Sequence, residues 1–69
     1  MLPNSNNIKI ACKKIYKLLA STKRLTFKQL QKLSGLNDIN LCMAILHLLR
    51  NNKILQFVNG NEVCYKITT

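Results

Sequence analysis

The sequence predicts an α+β fold that is mainly α: three helices followed by a C-terminal two-stranded β-hairpin. Three observations predict it. Apolar residues recur every three and four positions through roughly the first 50 residues, as in amphipathic helices. Two N-cap signals and a glycine divide that stretch into separate helices. Beyond Asn52 the pattern changes to β-formers on either side of Asn59-Gly60, a strong short hairpin signal.

The first helix is expected over about residues 6–21, where Ile8, Ala11, Cys12, Ile15, Leu18 and Leu19 form one apolar stripe. Lys9, Lys13 and Lys17 step along its other side at four-residue spacing. The start is rich in Asn and Ser, which places residues 1–5 as a flexible N-terminus ahead of one domain over 6–67, with 68–69 as the C-terminal end. Ser21 to Arg24 is a short polar link. Thr26 and Gln29 then match a capping box, and Leu25 and Leu30 occupy the two positions of a hydrophobic staple. The second helix is expected over about 27–34, with Phe27, Leu30 and Leu33 inward and Lys28 and Lys32 outward. Gly35 stands where a left-handed residue would close it.

Leu36, Asn37 and Leu41 repeat the staple and N-cap arrangement, so a third helix runs from there to about Asn51. Its apolar row is Leu41, Ile45 and Leu48, with Cys42, Leu46 and Leu49 beside it. Asn40, Met43, His47, Arg50 and Asn51 make up the opposite face. Two helices joined by Gly35-Leu36-Asn37, the first about eight residues long, make a helix-turn-helix pattern. For the hairpin, a two-residue turn at Asn59-Gly60 would pair Val58 with Asn61 and Ile54 with Tyr65.

With 69 residues, the chain holds one small core and no second domain; at this size about 60% of the unfolded surface is buried. Eleven Lys and Arg face two acids, Asp38 and Glu62, giving a net charge of +9. Such an imbalance attracts polyanions, nucleic acid first among them. No apolar run approaches the ~20 residues that span a bilayer. The start has no apolar segment behind a basic one, so neither a membrane partner nor a secretory signal is expected. Cys12, Cys42 and Cys64 are far apart and odd in number, a poor disulfide framework; each occupies an apolar periodic position and is expected in the core. Unpaired thiols suit an intracellular location, cytoplasm or nucleus. With one histidine and no close cysteine pair, no metal site is expected, and no other cofactor. One histidine, two acids and three apolar-position cysteines build no catalytic set, so an enzyme is not expected.

Helix, link, helix-turn-helix and hairpin together resemble a winged helix-turn-helix domain over about residues 8–67. The local segments that carry the resemblance are Leu25-Thr26-Phe27-Lys28-Gln29-Leu30, similar to the family's first strand and second-helix opening, and the passage of Leu41, Ile45 and Leu48 into Lys53-Ile54-Leu55, similar to a recognition helix entering a wing strand. Val63-Cys64-Tyr65-Lys66-Ile67 is similar to a closing wing strand. The resemblance implies that the third helix enters the major groove of double-stranded DNA while the wing touches phosphate or the minor groove.

Base-contact candidates are then Asn40, by bidentate pairing with adenine, Met43, against a thymine methyl, and His47. Backbone candidates are Lys23, Arg24, Lys28, Lys32, Arg50, Lys53 and Lys66. Each of these lysines reads equally as a solvated face. The sequence departs from the family pattern in its sparsely charged third helix and in a wing tip, Asn59-Gly60-Asn61, without a cation. That departure keeps a second reading open: a protein-interaction module or subunit of a larger assembly, in its simplest form a homodimer. RNA is a weaker third reading, because Phe27 and Tyr65 are expected inside and leave few stacking platforms.

Overall fold

The structure, a computed structural model, describes residues 5–68. α1 (Ser5–Ala20) is followed by β1 (Leu25–Thr26), α2 (Phe27–Ser34), α3 (Asp38–Arg50), β2 (Ile54–Asn59) and β3 (Glu62–Ile67). Of the residues expected to be loose, Ser5 opens α1 and residues 1–4 lie outside the described residues. Thr68 is tied back at the other end: its hydroxyl donates to the Asn52 carbonyl at 2.6 Å and its N–H to the Lys53 carbonyl at 3.1 Å.

The helix ends form where the local chemistry requires. Thr26 Oγ1 accepts the Gln29 N–H at 3.2 Å, while Gln29 Oε1 accepts the Thr26 N–H at 2.9 Å, a reciprocal capping box. Gly35 leaves α2 at φ 72° and donates its N–H to the Gln31 carbonyl at 2.9 Å. Asn37 Oδ1 caps α3 through the Asn40 N–H at 2.8 Å. α3 ends in a Schellman arrangement: Asn52 adopts φ 56°, its N–H reaches the Leu49 carbonyl at 3.1 Å, and the Lys53 N–H reaches that of Leu48 at 2.9 Å. Asparagine tolerates the left-handed backbone there better than most residues.

The most deeply buried large side chains, Ile15, Leu30, Leu41 and Ile54, come one each from α1, α2, α3 and β2. Around them Ala11, Leu19, Leu25, Ala44, Ile45 and Leu48 complete the core. Leu33, expected inward, is exposed, and Ser34 takes the buried place at the end of α2. At about 100° per residue Leu33 is rotated to the far side of Leu30 from Phe27. The Ser34 hydroxyl is satisfied by accepting the Leu36 N–H at 3.2 Å and donating to the Gln31 carbonyl at 3.5 Å. The cysteines divide: Cys64 is buried, Cys12 is half-buried and Cys42 is exposed, which corrects the expectation of three core thiols.

The expected hairpin is present, and β1 extends it into a three-stranded antiparallel sheet in the order β1-β3-β2. The register differs from the expected one. Val58 pairs with Val63 and Ile54 with Ile67, so the turn residues are Gly60 and Asn61. Only Gly60 of the turn has positive φ, at 66°, which fits a turn with glycine at its first central position. The difference is two residues along one strand, and the side-chain period is also two, so every side chain stays on its expected face. Leu25, Ile54, Gln56, Tyr65 and Ile67 therefore share the helix-facing side, while Leu55, Phe57, Cys64 and Lys66 share the outer one.

Candidate nucleic-acid interface

α2 and α3 are joined by the tight Gly35-Leu36-Asn37 turn. They are locked by Gln31, whose Nε2 donates to the Asp38 carboxylate across the turn. Asp38 also lies in the first turn of α3, where the helix dipole favours a negative charge. One of only two acids is thus held within the scaffold. Lys28 and Lys32 are exposed, and each lies about 160° round α2 from the buried Leu30, on its solvent side.

The solvent face of α3 is wider than expected, and Asn40 lies at its edge. Asn40 is half-buried; Met43 (36% exposed), His47 and Arg50 are exposed. The two residues most open to solvent on this helix among the large apolar ones are Ile39 at 63% and Leu46 at 56%, neither of which was expected there. The reason lies in angle. Leu41, Ala44, Ile45 and Leu48 point into the core; relative to their mean direction Leu49 is turned about 90°, Cys42 about 110°, Leu46 about 150° and Ile39 about 170°. Exposure follows the angle, with Leu49 half-buried and the other three exposed. Arg50 is the only Lys or Arg in this helix.

The remaining backbone candidates separate into different places. Arg24 is exposed but directed at the wing: with the Asn59 amide oxygen facing it, its Nε and Nη2 both donate at 3.1 Å. Lys23 stands at the same end of the wing, in a hollow it shares with Arg24, Gln29 and Glu62. Lys53 lies on the other side of the molecule, in a hollow with Lys13, Tyr16 and Lys17 of α1. Lys66 lies on the outer sheet face with its ammonium 5.3 Å from the centre of the Phe57 ring, a cation–π distance. α2 and α3 thus hold Lys28, Lys32 and Arg50, with Arg24 at their margin; Lys23 borders both that margin and a hollow that also holds Lys66, and Lys53 lies apart with the lysines of α1.

Sequence reasoning missed Ile39 and Leu46, and it missed Tyr16 as a surface aromatic. The first two had a signal, since nine of the 13 residues of α3 are apolar and a helix has room for about half of its circumference in a small core. Among the described residues no three His, Cys, Asp or Glu side chains come together as a metal site, and no helix is long and apolar enough to cross a membrane.

Residues 4–66 match the profile of a family described as "Winged helix-turn-helix domain (DUF2582)". No curated protein sequence matches the chain.

Proposed function

The chain belongs to the winged helix-turn-helix family DUF2582, and from that membership and its charge we propose that it is a small double-stranded DNA-binding protein that regulates transcription by occupancy. One observation carries the reading: a net charge of +9 is spread over exposed side chains while one of the two acids is already engaged by Gln31. Lys28 and Lys32 neutralise phosphates along the solvent side of α2, with Lys23 and Arg50 extending the contact. Arg24 acts through Asn59 and positions the wing. Asn40, Met43 and His47 supply at most a narrow reading edge, because Ile39 and Leu46 occupy the centre of the exposed face of α3. Binding is therefore dominated by phosphate and tolerant of sequence. The test is a titration of random duplex at two salt concentrations. Four neutralised phosphates give a slope of log K against log[salt] of about −4. Affinity that does not change with salt overturns the reading.

A second reading is favoured by one specific observation, the apolar solvent face of α3. Ile39, Met43 and Leu46 recur at four and three residues, the spacing of a helix that docks against a partner. In that reading α3 is a protein interface, most simply between two copies, and the lysines stay outside it. Light scattering tests the simplest form of this reading: a monomer at high concentration removes the homodimer and leaves only a different protein as partner. The exposed Cys42 within this face fits a reducing, intracellular compartment.

A further inference from the structure

The four aromatic side chains divide into two pairs. Tyr65 is buried and Phe27 packs half-buried against the core. Tyr16 is exposed and Phe57 is half-buried on the outer sheet face, and both stand beside lysines. Tyr16 is 39% exposed and forms the common wall of two adjoining hollows of about 600 and 570 Å³. The first carries Lys13, Lys17 and Lys53 over a floor of Cys12 and Leu48. The second carries Lys23 and Lys66 over Leu19, Leu55 and Ile67. Beyond it the outer sheet face continues to Phe57 beneath the Lys66 ammonium. No acidic residue lines either hollow.

Five lysines, no acid in either lining and one exposed aromatic ring set between them are the elements of a single-strand site. Every base has a flat face that stacks on an aromatic ring, and the backbone is tracked by cations. A duplex hides its base faces and would use the lysines alone. We propose that the groove between α1 and the outer edge of the sheet, centred on Tyr16, binds single-stranded nucleic acid, one base stacking on Tyr16 while Lys13, Lys17 and Lys53 on one side and Lys23 and Lys66 on the other hold phosphates. This surface shares only Lys23 with the proposed duplex contact and includes neither Lys28 nor Lys32, so it stands whether or not α2 and α3 bind a duplex.

The experiment is an NMR titration of the full chain with an eight-nucleotide oligo(dT), an oligo(U) of the same length, a duplex of that length, and vesicles containing anionic phospholipid. With either single strand, the ring and backbone signals of Tyr16 and the amides of Lys13, Lys17 and Lys53 move together. Tyr16→Ala weakens single-strand affinity about tenfold, within the range for loss of one stacked base, and Tyr16→Phe restores it. Lys13→Glu with Lys53→Glu weakens it independently of the ring. Lys28→Glu with Lys32→Glu leaves the Tyr16 shifts in place, which separates this site from the duplex reading. Oligo(U) and oligo(dT) acting alike support recognition of base face and phosphate; a preference for one identifies the natural strand. The proposal is overturned if single strands move only α2 and α3, if Tyr16→Ala binds as well as the parent, or if the vesicles alone perturb Tyr16.

Discussion

Reversing both lysines of α2, Lys28→Glu with Lys32→Glu, tests the duplex reading most directly. Both are exposed, one turn apart, on the side of α2 turned away from the buried Leu30. The fold should survive the change. Lys28 lies in the first turn of α2, where a cation opposes the helix dipole, and Lys32 in the last, where it is favourable, so the two reversals offset one another to within about 1 kcal/mol. The capping box of Thr26 and Gln29 is untouched. The effect on binding follows from counterion release, about 0.9 of a power of salt per phosphate. Four contacts give a slope near −4, so raising salt from 50 to 200 mM costs the parent roughly 200-fold; the variant, with two contacts, has a slope near −2 and loses only about 15-fold. If a contact contributes nothing at about 1 M salt, the two lost contacts weaken binding by about 200-fold at 50 mM and by less than about 20-fold at 200 mM. Fluorescence anisotropy on a labelled random duplex at several salt concentrations measures both quantities, with circular dichroism as the check on folding. A folded variant with the parent's affinity and slope would refute the placement of phosphates on α2.

The other predictions concern the scaffold and the second reading. Leu30 is fully buried, so Leu30→Ala should cost about 2–5 kcal/mol, a large part of the roughly 3–10 kcal/mol expected of a domain this size; a urea midpoint near the parent's would show that the core is not centred there. Leu46→Glu should leave thermal stability within about 0.5 kcal/mol, because the side chain is mostly exposed, and it should abolish self-association if α3 is a dimer interface. Tyr65 has its hydroxyl pKa raised above the ordinary value of 10, first by burial and second by the Cys42 thiolate. The folded protein therefore keeps that proton after the unfolded chain has lost it, and the associated stability is complete below pH 10 and falls as pH rises through the folded value. Tyr65→Phe should flatten this alkaline decline in denaturation midpoints, and an unchanged decline would assign it elsewhere. Among the thiols, Cys42 should react first with a water-soluble disulfide reagent and Cys64 last; simultaneous reaction would mean that the sheet opens readily.

Local chemistry made the helix boundaries legible. Thr26 with Gln29, Gly35 and Asn37 each act on a backbone group within three or four residues, so their sequence spacing nearly determines the bond that forms. The hairpin was legible as an element but not in its register, because Asn59-Gly60 and Gly60-Asn61 are both acceptable turn pairs and local preference does not choose between them. Pairing of Val58 with Val63 also brings Ile54 opposite Ile67, and that gain in cross-strand packing is a property of the whole ribbon.

The site was less legible, for a physical reason visible in α3. An apolar residue carries no mark that says which neighbours will cover it. Leu46 is three residues before Leu49 and four after Cys42, so periodicity joins all three into one row beside the core, although that row turns progressively toward solvent. Only the position of α1, α2 and β2 around α3 decides where coverage stops, and the number of residues available for covering it is small. The same limit hid Tyr16. Its neighbours in sequence are Ile15 and Lys17, one buried and one exposed, and the side chain falls on the boundary between them. What makes Tyr16 a candidate for contact is Lys53, 37 positions away at the end of α3, brought to the same hollow when the Asn52 turn redirects the chain into β2. Charge along the sequence shows that a polyanion is attracted; which lysines act together depends on that turn. Replacing Asn52 by a β-branched residue, which resists its left-handed backbone, would therefore disturb the Tyr16 groove while leaving Lys28 and Lys32 in place on α2.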